Sequence, residues 1–161
     1  MKPDYTEAHI NAANAFVRSG EFERAIPYLD KALLYRPEDP QILLNKGIAL
    51  RETKLLTKAR DCFKAALPLS PEKYRIDYEI AQTQYLLGDL KSAAALYVSA
   101  ISHKAAFEPG YFGLGTVLAE SGQLAKAKEA FNRANTHPAA AHRIKAIDII
   151  TRDADPWVLF R

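Results

Sequence analysis

Four alanines stand at one fixed pitch along this chain: Ala25, Ala59, Ala93 and Ala127, separated by equal steps. Three more columns keep the same step. They are Leu29, Phe63, Tyr97 and Phe131; Ala32, Ala66, Ala100 and Ala134; and Ala13, Gly47, Ala81 and Gly115. Self-similarity at one period of this size means a stack of a single supersecondary unit, each copy burying its apolar face against the next. Stacks of this kind form extended concave surfaces suited to holding another chain.

The residue types give the anatomy of the unit. A small residue (Ala13, Gly47, Ala81, Gly115) is followed twelve positions later by another (Ala25, Ala59, Ala93, Ala127). Small side chains let two helix backbones approach closely. The large residue four positions on shares a helical face with the second alanine and fills the space beside the contact. Gly20, Gly88 and Gly122 fall between the two small positions and read as helix stops in the left-handed conformation; Lys54 holds the matching place in the second unit. Each unit is therefore helix, turn, helix. Arg36-Pro37 and Ser70-Pro71 end second helices, and Asp39-Pro40 and Glu108-Pro109 begin first helices.

This pattern resembles the tetratricopeptide repeat, a helix hairpin whose length equals the step between these columns. The resemblance covers four units, residues 6–39, 40–73, 74–107 and 108–141, within one domain. It departs from the family where an early tryptophan is expected: His9, Leu43, Asp77 and Tyr111 stand there. The later tyrosine is replaced by Phe16, Leu50, Gln84 and Leu118. The implied fold is all-α, a right-handed α-solenoid of four repeats. A capping helix over about residues 139–152 covers the last exposed face, with Ala140, Ile144, Ile147 and Thr151 on one side. Arg143, Lys145, Asp148 and Arg152 fall mostly elsewhere.

Composition fits a globular chain of this class: 161 residues, 48% hydrophobic and 25% charged. A net charge of +3 is mild and forms no basic block of the kind that marks a nucleic-acid arm. A single cysteine, Cys62, rules out an internal disulfide and reads as a structural thiol. The start, Met1-Lys2-Pro3-Asp4, carries no apolar stretch, and no segment approaches a membrane span, so a cytoplasmic setting is expected. The histidines His9, His103, His137 and His142 offer no metal spacing. There is no phosphate loop and no nucleophile elbow. No metal, no cofactor, no nucleic acid and no catalysis are expected.

The resemblance implies that first helices line the concave groove. One column there is Ile10, Leu44, Tyr78 and Phe112; the next is Asn14, Ile48, Gln82 and Thr116; a third is Val17, Arg51, Tyr85 and Ala119. These positions share a face at i, i+4 and i+7. The result is an apolar and aromatic stripe edged by Arg51, Arg75, Asn45 and Asn14, a composition suited to a peptide. Some of these side chains are also placed to pack between neighbouring first helices. Some members of the resembled family clamp a terminal carboxylate with lysine, asparagine and arginine. Here Ile10 and Glu79 occupy two of the basic places, and Glu79 would repel such a ligand.

The expected function is a scaffold that binds a peptide segment of a protein partner. The alternatives are a chaperone of secretion substrates and a scaffold that self-associates through its C-terminal tail. The tail, residues 153–161, is unusually apolar for a terminus and includes Trp157, Leu159 and Phe160. Three readings of it stand open: packing back over Ile147 and Ile150, docking in the groove of a second copy to form a homo-oligomer, or the edge of a longer protein.

Overall fold

The computed structural model describes residues 4–153. Trp157, Leu159 and Phe160 lie outside the described residues. Within them the chain forms nine helices and no strand. The helices are α1 (Asp4–Ser19), α2 (Phe22–Tyr35), α3 (Pro40–Glu52), α4 (Leu56–Ala66), α5 (Lys73–Leu86), α6 (Leu90–His103), α7 (Glu108–Glu120), α8 (Leu124–Arg133) and α9 (Ala140–Asp153).

The turns inside the four hairpins repeat as faithfully as the sequence columns. Gly20, Lys54, Gly88 and Gly122 have φ of 76°, 65°, 82° and 75°. Each donates its N–H to a carbonyl three residues back, and the next residue donates to one five back. In the second hairpin these are Lys54 N–H to Arg51 O at 2.9 Å and Leu55 N–H to Leu50 O at 2.8 Å. This left-handed cap satisfies carbonyls that the helix end would otherwise leave open. Lys54 adopts the same conformation despite its Cβ. At the start of α3, the Asp39 carboxylate accepts from Gln41 N–H at 2.9 Å and Ile42 N–H at 3.2 Å, with Pro40 in the first turn.

Packing follows the small columns. The Phe63 ring lies against Gly47, so close that a Cβ on the glycine would fall nearer than 3.0 Å to three ring carbons. Phe131 lies on Gly115 almost as closely. Ala25, Ala59, Ala93 and Ala127 are completely buried. Cys62 is half-buried beside the core around Phe63, and burial pushes its thiol above the ordinary value, which suits a packing role. Each hairpin packs on the next, and α1, α3, α5 and α7 also touch one another in succession. The first helices therefore line the inner side of the stack.

At the far end α9 packs Ala140, Ile144 and Ile147 against α8, and Lys128 pairs with Asp148. Ile147 is buried in this packing. One detail departs from the sequence expectation. The outer side of α9 is not purely polar, since Ile149 and Ile150 are 53% and 54% exposed. The repeat supplies the reason. Ile149 stands one full repeat after Gly115, in the column where a first helix meets its own second helix. No such helix follows among the described residues.

Candidate functional site

The aromatic half of the expected stripe forms a cleft. Tyr78, Gln82, Tyr85 and Leu86 from α5, Phe112, Gly113 and Thr116 from α7, and Arg51 and Glu52 from α3 surround about 350 Å³ of open space, with Tyr97 of α6 also in the lining. Aromatic packing fixes the walls. Tyr78 meets Phe107 edge-on with ring centroids 5.2 Å apart. Phe112 stacks on His137 at 3.6 Å and tilts against Phe131 at 5.4 Å. Rings held on two sides keep their rotamers.

The polar edge is internally paired. The Arg51 guanidinium bonds Glu79, donates to Gln82 Oε1 at 2.7 Å, and reaches Glu52 at 3.2 Å. Gln82 Nε2 donates in turn to Tyr78 Oη at 2.7 Å. Burial holds the Glu79 carboxyl above the ordinary carboxylate value, against the opposing pull of Arg51. Burial likewise raises Tyr78 and Tyr97. Tyr85 donates to Glu120, and that bond leads the causes raising its phenol.

Each repeat junction on the inner face is crossed by at least one side-chain bond, and the middle junction also by Arg51 to Gln82. Asn45 Nδ2 donates to Asn14 Oδ1 at 2.6 Å between α3 and α1. Arg51 meets Glu79 between α3 and α5. Tyr85 meets Glu120 between α5 and α7.

The expected site residues therefore divide. Arg51, Tyr78, Gln82, Tyr85, Phe112 and Thr116 come together in the cleft. Ile10, Asn14 and Asn45 line a separate depression of about 100 Å³. Leu44 and Arg75 line another of about 100 Å³ beside Pro71. Leu44 is only 4% exposed and belongs to the core; Val17 and Ile48 pack against core clusters instead of lining any of these spaces. The polar edge is corrected too: Asn14 and Asn45 bond each other, Arg51 is taken up by Glu79 and Gln82, and Arg75 donates to Glu72 at 2.7 Å. An aliphatic side chain in a first helix is drawn into the gap between neighbouring repeats, whereas a tyrosine or phenylalanine is long enough to reach past it.

Sequence reasoning missed Tyr97 and Gly113. Tyr97 sits in the core column of Phe63 and Phe131, so it read as packing. The signal was Gly113, which interrupts the column Asn11, Asn45, Glu79. Also missed was an outer groove of about 620 Å³ between α6 and α8, floored by Leu114 and Leu118 and walled by Ala94, Val98 and Ala130. Among the described residues no cluster of histidine, cysteine or carboxylates is arranged to hold a metal, and no helix is long and apolar enough to cross a membrane.

The chain matches the tetratricopeptide repeat family over residues 10–74 and again over residues 109–136, together more than half its length. It is 32% identical over 83 residues to human (Homo sapiens) protein O-mannosyl-transferase TMTC1, a match spanning 49% of this chain and 9% of that protein. It thus corresponds to less than a tenth of that relative. Among solved structures, the crystal structure of MamA superposes with a TM-score of 0.78 at 20% identity, covering 91% of this chain and 82% of that one. YrrB, described as a TPR protein with an unusual peptide-binding site, superposes with a TM-score of 0.72 at 22% identity, covering 91% and 78%. At these identities the likeness is one of fold.

Proposed function

The chain is a member of the tetratricopeptide-repeat family, and from that premise we propose that its inner face holds an extended peptide segment of a protein partner. The observation that carries the reading is the cleft between α3, α5 and α7, with Tyr78, Tyr85 and Phe112 as anchors around about 350 Å³. Fixed aromatic rings with a few satisfied polar groups are the composition of a binding hot spot. The peptide-binding site in YrrB's description supports it by analogy of fold. The role is one of binding without a catalytic step. The transferase in the name of the human relative belongs to that protein, of which 9% is matched. A cytoplasmic setting is part of the same proposal, tested by cell fractionation.

Arg51 and Arg75 take a different part from the one the sequence suggested. Arg51, bound to Glu79, holds a wall of the cleft and leaves recognition to the rings, whereas Arg75, bound to Glu72, lies outside it at a separate depression.

The test compares partners retained from cell extract by the wild-type chain and by Tyr78→Ala with Phe112→Ala. Loss of a retained partner with helicity unchanged is the expected result. Retention by the double variant, with loss on Val98→Asp, would move binding to the outer groove.

A scaffold of self-associating copies is the second reading, favoured by the exposed Ile149 and Ile150 on α9. Light scattering on the full chain and on Ile149→Lys with Ile150→Lys tests it. It requires an oligomer that the double substitution dissolves.

A further inference from the structure

The floor of the inner cleft is built differently from the equivalent places one and two repeats earlier. Gly113 stands one repeat after Glu79, and the residue behind it, Tyr97, stands one repeat after Phe63. The equivalent pairs are Leu29 with Asn45 and Phe63 with Glu79, an apolar residue with a polar one. Here the polar side chain is missing and its counterpart in the core column gains a hydroxyl. The consequence is physical. The Tyr97 ring passes so near the bare Cα of Gly113 that an added Cβ would lie closer than 3.0 Å to Cζ, Cε1 and Cδ1. Through that gap a side chain of a second helix joins the lining of the inner cleft.

Tyr97 is only 4% exposed. The two tyrosines beside it have their hydroxyls engaged, Tyr78 with Gln82 and Tyr85 with Glu120. Tyr97 Oη has no hydrogen-bond partner among the described residues, and it is not sealed from the cleft. A polar group deeply set but open to the cleft is free to be answered by whatever enters it, and a ligand that covers it without a partner would leave it buried and unsatisfied. A phenol carries its proton near neutral pH, and burial only raises its value further, so Oη has a hydrogen to donate.

The surroundings limit what can answer. The charged side chains lining the cleft are Arg51 and Glu52, with Glu79 bonded to Arg51, Glu120 at the edge on Tyr85, and Arg143 of α9 close enough to act on Tyr85. Arg51 already bonds Glu79, Glu52 and Gln82, so an incoming carboxylate would have to compete with two carboxylates for that cation, which disfavours an acidic side chain at the floor. Tyr97 is the least exposed of the lining rings, Tyr78 and Phe112 being partly exposed, so the floor suits a narrow group such as a side chain better than a backbone. Thr116 Oγ1 donates to the Phe112 carbonyl at 3.0 Å and keeps lone pairs toward the cleft it lines.

We propose that Tyr97 Oη is the donor at the floor of a pocket for one uncharged amide side chain, asparagine or glutamine, carried by an otherwise apolar segment. The amide oxygen accepts from Tyr97, the amide N–H₂ is answered by Thr116 Oγ1, and the flat amide lies between aromatic rings. This deepens the peptide-binding reading above and rests on it.

The experiment selects random seven-residue peptides displayed on phage against three full chains: wild type, Tyr97→Phe, and Tyr78→Ala with Phe112→Ala. Selected peptides are synthesised with the anchor as glutamine, leucine or glutamate, and binding is read by fluorescence anisotropy. The expected result is enrichment of one asparagine or glutamine position on the wild type. The glutamine peptide should lose roughly tenfold on Tyr97→Phe, whereas the leucine peptide is unaffected by that change. The Tyr97 ¹³Cζ resonance in the wild type should move on adding the glutamine peptide. Equal binding of the glutamine peptide to wild type and Tyr97→Phe, or an acidic anchor, overturns the proposal while leaving the groove reading intact, provided the Tyr78/Phe112 variant loses binding. No enrichment on the wild type, or enrichment that survives the Tyr78/Phe112 variant, overturns the groove reading and this proposal together.

Discussion

Arg51 on α3 holds Glu79, 28 residues away on α5, and both side chains are nearly buried at 11% and 17% exposure. A pair so placed is expensive to break from one side, because the remaining charge keeps its burial without its partner. Arg51→Ala is expected to cost about 3 kcal/mol near neutral pH. Glu79 decides the pH dependence. Its folded carboxyl lies above the ordinary value of 4.5, so the folded chain holds that proton more tightly than the unfolded one. The damage from Arg51→Ala should be least below about 4.5 and grow as pH rises through the folded value. Urea unfolding at pH 4.5 and 7.5 checks the sign; an equal loss at both would count against a charged Glu79 as the cause.

Gly47→Ala should destabilise by about 1–3 kcal/mol, since the added methyl group enters the space of the Phe63 ring. Phe63→Ala should cost about 3–5 kcal/mol through lost burial and a cavity. Combining the two tests the contact itself. With the ring gone, alanine at 47 should cost much less than in the wild type, and strict additivity in denaturant melts would mean that they do not share one space.

Lys54 carries a left-handed backbone at a position where the other three hairpins use glycine. Lys54→Gly should raise stability by up to about 1 kcal/mol by relieving the Cβ. Gly88→Lys should cost a similar amount. Thermal melts followed by circular dichroism distinguish the outcomes, and a loss on Lys54→Gly would show that the lysine side chain contributes more than its backbone costs.

Tyr78, Tyr85 and Tyr97 all ionise above the ordinary value of 10 in the folded chain. Their contribution to stability is complete below about 10 and is lost as pH rises through the folded values. Absorbance titration at 295 nm, a wavelength for phenolate, should show some of the eight tyrosines ionising late while helicity persists. Tyr97→Phe should remove one late step. Uniform ionisation of all eight near 10 in the helical chain would contradict the burial of these rings.

The hairpins were legible because their determinants are local and repeated. The period assigned Lys54 to its turn although lysine itself gives no such signal. The site was legible in part. Tyr78, Tyr85 and Phe112 line one cleft, as the repeat pitch from Tyr78 to Phe112 and the helix period from Tyr78 to Tyr85 suggest. Whether Leu44 faces a groove or a core depends on how far one helix leans on the next, which the period does not encode. The engagement of Arg51 by Glu79 was hidden for a similar reason. Each was assigned to its own column, and the bond joins different columns on successive helices. Tyr97 needed two facts at once, its own column and the missing side chain of Gly113.

The bonds from Asn14 to Asn45, Arg51 to Glu79 and Tyr85 to Glu120 turn the inner face into a ruler. Each fixes the step from one first helix to the next, so the spacing between successive depressions is set when the chain folds, before any ligand arrives. A partner then meets marks at fixed intervals and spends little ordering them. Two segments with the same side chains but different gaps between anchors are not equivalent on such a surface. Deleting one residue between two anchors of a ligand shifts every later anchor off its mark, and should weaken binding as much as removing an anchor outright.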